Sequence, residues 1–95
     1  MRVYLRNDQA TKILGAMPRG MTSRGVVIQV LGAGTVWFGP DRAPLENTDS
    51  TGTPTAGNSI TSANGPFEFQ QWPNDLWARA SVTGTTLEAN VFEVR

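Results

Sequence analysis

The chain is broken at short intervals. Its apolar or alternating runs are "VVIQVL" (Val26–Leu31), "TVWF" (Thr35–Phe38), "SITS" (Ser59–Ser62), "PFEFQQW" (Pro66–Trp72), "LWARASV" (Leu76–Val82) and "TLEANVFEVR" (Thr86–Arg95), set between stretches rich in glycine, proline, asparagine and threonine. Runs this short are strand length, below what a packed helix needs. In "LWARASV", Leu76, Ala78, Ala80 and Val82 fall on one face and Trp77, Arg79 and Ser81 on the other, the period-two signature of a half-buried strand. In "PFEFQQW", Phe67 and Phe69 share a face opposite Glu68 and Gln70. "VVIQVL" is β-branched and nearly all apolar, which predicts a strand buried on both faces or nearly so. "GAG" joins it to "TVWF", and two apolar runs around a short Gly turn predict a hairpin. In the terminal run Leu87, Ala89 and Val91 share a face, after which Phe92 and Val94 fall on the other. That break predicts a bulge, or a strand end that a second subunit covers on its far side. With no helical pattern, these features predict an all-β domain, a single small β-sandwich or jelly-roll-like barrel.

Two segments stand outside the strand pattern. Residues 1–24 hold a short strand-like "VYL" (Val3–Leu5) and an apolar "KILGAM" stopped by Pro18, with Gly15 and Gly20 against a stable helix. They read as an extended N-terminal arm leading into a body over 25–95. Residues 39–59 form a long polar loop with three of the six prolines, and loops of that length are usually functional or mobile. This one suits wrapping a neighbour or carrying a surface contact.

Charge is divided between arm and body. The arm carries five basic residues, Arg2, Arg6, Lys12, Arg19 and Arg24, against the single acid Asp8, a net +4. The body carries three basic residues against seven acids, a net −4. A basic segment joined to an acidic body predicts a partner for each, unless both are merely solvated.

A domain of 95 residues buries only roughly 60–65% of its unfolded surface and gains from staples. The chain has no Cys and no His, which removes disulfides, thiolate sites, the commonest metal ligand and the commonest general base. Oligomerisation is the staple left. No Ser-His-Asp or Cys-His set can form, and "GAG" opens a strand rather than the helix a dinucleotide fingerprint needs. Glu68 and Asp75 bracket a turn near Trp72 and Trp77, the neighbourhood a glycan-acting enzyme would use. Asp41, Glu46 and Asp49 offer calcium-type ligands without an EF-hand pattern. Scattered acids on a β-domain produce both groupings by chance, and we expect no catalytic residue, cofactor or metal. The N-terminus lacks the apolar run of an export signal and no stretch approaches a membrane span; synthesis in a cytoplasm is expected. The acidic body disfavours a specific nucleic-acid site.

Three tryptophans in so small a chain fit a subunit interface or a sugar platform as well as a core. Trp77 lies on the polar face of its strand. We expect Trp37, Trp72, Trp77, Phe92 and Val94 to cover a subunit interface.

Taken in order, "TVWFGPD", "SITSANGPFEF", "NDLWARAS" and "LEANVFEV", spread over residues 35–95, resemble small virion proteins of tailed bacteriophages, most of all capsid decoration (cement) proteins. The resemblance implies a β-sandwich or jelly-roll subunit, often a homotrimer, seated on the capsid surface over the major capsid protein and holding the expanded head. The arm then becomes the capsid-binding element, mobile when free and docking through Arg2, Val3, Tyr4, Leu5, Arg6, Lys12, Ile13, Leu14, Met17, Arg19 and Arg24. The alternative is a carbohydrate- or receptor-binding module of a phage head fibre or tail, which predicts exposed, roughly coplanar tryptophan rings.

Overall fold

The computed structural model describes residues 1–16, 24–55, 57–81 and 87–94. Eight strands run β1 (Arg2–Leu5), β2 (Thr11–Leu14), β3 (Gly25–Leu31), β4 (Thr35–Gly39), β5 (Asn58–Thr61), β6 (Phe67–Phe69), β7 (Leu76–Ala80) and β8 (Leu87–Val94). A short helix α1 (Arg42–Glu46) follows β4, and one 3-10 turn (Ser62–Asn64) follows β5. The strands form two four-stranded antiparallel sheets, sheet A in the order β1-β8-β3-β6 and sheet B in the order β2-β7-β4-β5.

The pairing is nested. β1 pairs with β8, β2 with β7, β3 with β6 and β4 with β5, all antiparallel. β8 then closes against β3, and β7 against β4. That is a long antiparallel ribbon rolled so that successive pairs alternate between two sheets, the jelly-roll form of the β-sandwich. The all-β reading holds.

The core lies between the sheets. Sheet A contributes Leu5, Val26, Ile28, Val30, Leu87, Ala89 and Val91; sheet B contributes Val36, Phe38, Ile60, Leu76, Ala78 and Ala80. The inward stripe expected from "LWARASV" is observed at Leu76, Ala78 and Ala80; Val82 lies outside the described residues. One end of the core is aromatic: Phe38 packs edge-on to Phe69 with ring centroids 4.9 Å apart, and Trp72 lies 5.4 Å from Phe69.

Three expectations are corrected. "VVIQVL" and "TVWF" form no hairpin, because β3 is in sheet A and β4 in sheet B. The "GAG" link is an arch across the sandwich, with Gly32 and Gly34 at φ 126° and 137°, and it sets Val26, Ile28 and Val30 opposite Val36 and Phe38. β8 carries no bulge where its apolar pattern changes face, since its register with β3 runs unbroken from Gly25↔Val94 to Leu31↔Glu88. Phe92 and Val94 therefore point outward. Finally, the described part of residues 1–24 is extended but is not an arm apart from a body. β1 is an edge of sheet A and β2 an edge of sheet B, Leu5 is fully buried, and Ile13 and Leu14 pack on the core. These apolar side chains have the sandwich itself to bury against, and both sheets use them to complete an edge.

Candidate functional site

Most features that the sequence assigns to partners are satisfied within the chain. Arg24 is 4% exposed. Its Nη1 donates to Glu93 Oε1 at 2.7 Å, its Nη2 to the carbonyls of Gly15 and Asn74 at 2.6 and 3.2 Å, and its Nε to the Trp72 carbonyl at 3.3 Å. It is a clamp holding four segments at one end of the sandwich, not a capsid contact. Arg2 pairs with Glu88 at 3.9 Å and Lys12 with Asp75 at 3.6 Å. So Arg2, Lys12 and Arg24 of the basic segment each meet an acid of the body. Arg6 instead pairs locally with Asp8 at 2.6 Å, whose carboxyl this hydrogen bond holds below its usual range. Val3 and Leu5 face the core, while Tyr4 is 57% exposed on the outer face of sheet A. Met17 and Arg19 lie outside the described residues.

The long 39–59 connection wraps its own sheet. Leu45 of α1 is 1% exposed. Arg79, outward on β7, donates through Nη1 to the Leu45 carbonyl at 3.1 Å and through Nε and Nη2 to the Asn7 carbonyl at 3.0 and 2.9 Å. Glu46 Oε1 accepts from Arg42 Nε at 2.9 Å and from the Ala10 amide at 3.2 Å, and the Arg42 bond above all lowers its pKa. The Arg42 guanidinium sits 6.0 Å from the Trp77 ring centroid, a cation–π contact. Trp77 is half-buried, and α1 packs against its strand. Beyond α1, Asp49 accepts from the Thr51 amide, the Thr51 hydroxyl and the Thr53 amide at 2.8, 2.6 and 3.1 Å; the hydroxyl bond leads in lowering its pKa.

The five expected interface residues do not share one surface. Trp37 and Trp77 are half-buried on the outer face of sheet B. Trp72 is in the aromatic end of the core, its Nε1 donating to the Asp75 carbonyl at 3.0 Å. Phe92 and Val94, 49% and 44% exposed, lie on the outer face of sheet A. The paired carboxylates are separated too: Glu68 faces outward on β6 of sheet A, whereas Asp75 precedes β7 of sheet B and accepts from the Ala16 amide at 2.6 Å. The calcium-type trio is likewise dispersed, since Glu46 serves Arg42 and Ala10 and Asp49 serves its own loop. Among the described residues no three His, Cys, Asp or Glu side chains come together as a metal site would need.

One large surface is left uncovered. The outer face of sheet A is laid out by strand register in four rows: Val94 beside Gly25; Phe92, Val27 and Glu68; Arg2, Asn90 and Gln29; and Tyr4, Glu88 and Leu31. Tyr4, Phe92 and Val94 are exposed, while Val27 and Leu31 are half-buried. Sheet B carries α1 on its outer face, and among the described residues sheet A carries no helix there. Phe92, Val94 and Val27 are adjacent at one end of the face and Tyr4 and Leu31 lie at the other, with the Arg2, Asn90 and Gln29 row between them; exposed apolar side chains on one sheet face suit a protein contact. The signal was present in the period break at Val91-Phe92, which separates the inward from the outward apolar set.

Compared with known proteins, the chain matches no family model, no curated protein and no solved structure; the reading of its function rests on its own residues.

Proposed function

We propose that the chain is a non-enzymatic structural subunit of a phage virion, a capsid decoration protein that seats on the expanded head and holds it together. The observation that supports this most is the bare outer face of sheet A, with Tyr4, Phe92 and Val94 uncovered on a chain whose other sheet is closed by its own helix. Such a subunit is completed by protein contacts. The capsid contact falls on the edges β1 and β2, where Arg2, Tyr4, Arg6 and Lys12 are exposed and an edge strand can take up another strand. In this reading the N-terminal residues act from within the fold. Weak contacts repeated over a lattice then act together through high effective concentration. A sugar-binding module needs open indole platforms, and all three tryptophans are half-buried.

The test is co-sedimentation of the purified chain with expanded, DNA-free heads of the phage that encodes it. Saturable binding, and shells that rupture at higher temperature once coated, are expected. A chain that stays in the supernatant at concentrations far above the micromolar range refutes the reading.

A further inference from the structure

We propose that residues 40–55 are a strap that lifts from the outer face of sheet B as a unit, with Arg79 as its latch. The inference concerns the free chain and does not rest on the virion reading.

The strap is bonded mostly to itself. The Asn47 amide donates to the Ala43 carbonyl at 3.0 Å, Thr55 to Asn47 at 2.9 Å, Asp49 to Thr53 at 2.9 Å and Gly52 to Asp49 at 3.1 Å. Thr48 and Pro54 form a β-bridge, and the Asp49 carboxylate ties the Thr51 and Thr53 amides into the same turn. Among the described residues only two hydrogen bonds join this body to the rest of the chain. Arg79 Nη1 donates to the Leu45 carbonyl, and the Ala10 amide donates to Glu46 Oε1. Of the whole strap only Leu45 and Pro54 are buried. A cleft of about 230 Å³ opens beside Leu45, between α1 and the backbone at Gly39 and Gly57, so packing under the strap is incomplete. α1 itself is five residues long and has no side-chain cap at Asp41, too short to be stable alone. A segment with so few buried contacts and so few outward bonds opens at lower free energy than the sheets beneath it.

The latch joins the strap to the start of the chain. Arg79 Nε and Nη2 hold the Asn7 carbonyl, which lies in the connector between β1 and β2. Ala10 of that connector is 5% exposed, and its amide is held by Glu46 of the strap. Lifting α1 therefore frees the Ala10 amide, leaves Arg79 holding Asn7 alone and takes Arg42 off the Trp77 ring. Closed, the strap covers Trp77 and fastens the connector; open, it bares the ring and loosens the link between the two sheet edges.

Amide hydrogen exchange of the full chain, resolved by residue with NMR, tests this. In the parent the Ala10 amide should exchange at least about 100-fold faster than the slowest amides of β3 and β8, and its rate should barely respond to low urea, because lifting exposes little surface. Arg79→Met keeps the stem, removes the donors and should speed Ala10 exchange by at least about 10-fold. Arg42→Ala should speed it by about 2- to 5-fold, through loss of the stack on Trp77. The Arg42 side chain is 59% exposed, so this second variant folds like the parent and carries the test if Arg79→Met does not fold. The Thr55 amide, bonded within the strap, should keep its parent rate in both. An Ala10 amide as slow as the slowest of β3 and β8 overturns the proposal, because the strap then opens only when the whole domain unfolds. An Ala10 rate indifferent to both substitutions overturns the latch. A Thr55 amide that speeds up along with Ala10 means the segment melts instead of lifting, and overturns the unit.

Discussion

Replacing Arg24 with methionine should be the most damaging single change at the edge of this core. The guanidinium makes four hydrogen bonds, at 2.7 Å to Glu93, 2.6 Å to Gly15, 3.2 Å to Asn74 and 3.3 Å to Trp72. Methionine fills similar volume and donates none of them. Breaking a buried charge pair by removing one partner costs about 3–5 kcal/mol. The Glu93 side chain is 31% exposed, so water recovers part of that, and we expect a loss of roughly 2–4 kcal/mol. Against a total of about 5–15 kcal/mol this is a large fraction, and it corresponds to a fall in Tm of roughly 10–25 °C for a domain of this size. Urea unfolding followed by tryptophan fluorescence reads it directly, since Trp72 both accepts from Arg24 Nε and donates its amide to the Arg24 carbonyl at 2.8 Å. Arg24→Lys should lose most of the same stability, because one ammonium cannot span four acceptors on three sides. A loss below about 1 kcal/mol, the value of a single ordinary hydrogen bond, would refute the clamp.

Two further outcomes follow from local geometry. Gly57 has φ 109°, and a Cβ there would lie 2.8 Å from Leu45 Cδ2 and 3.0 Å from the Phe38 carbonyl oxygen; Gly57→Ala should cost more than about 2 kcal/mol by urea titration, from strain and displacement of α1. Asp8, Glu46 and Asp49 have folded pKa values below their usual ones, owing first to hydrogen bonds from Arg6, Arg42 and Thr51. Their stabilisation is therefore present above the ordinary carboxylate range and is lost as pH falls through the folded values, so the urea midpoint should drop below about pH 4; each group is at the surface, and a flat midpoint down to pH 2 would contradict the assignment.

Local alternation was readable in the sequence wherever a strand has one wet face. Leu76, Ala78 and Ala80 show this most clearly, and the outward turn at Phe92 was visible as a break in period. α1 was not readable, because "RAPLE" is one turn long and holds Pro44, which suits a loop as well as a first helical turn. The hairpin at "GAG" was misread for a related reason. A three-residue glycine link serves an arch as readily as a turn, and nothing within Val26–Phe38 says whether two apolar faces pair side by side or stack face to face.

The charge asymmetry between the start of the chain and the rest of it is met in part within the fold. Arg2 meets Glu88, Lys12 meets Asp75 and Arg24 meets Glu93, joining the start of the chain to its end. A nested ribbon requires this, because β1 can pair only with β8 and β2 only with β7 once the inner pairs have formed. Trp77 and the 39–59 connection obey the same logic, each looking unpartnered until the roll places α1 on the outer face of sheet B. After those demands are met, Tyr4, Phe92 and Val94 remain exposed on the outer face of sheet A. Their exposure is not a by-product of a short chain, since the same chain sets α1 over the opposite sheet. The fold closes the outer face of one sheet with its own helix and leaves exposed apolar side chains on the other.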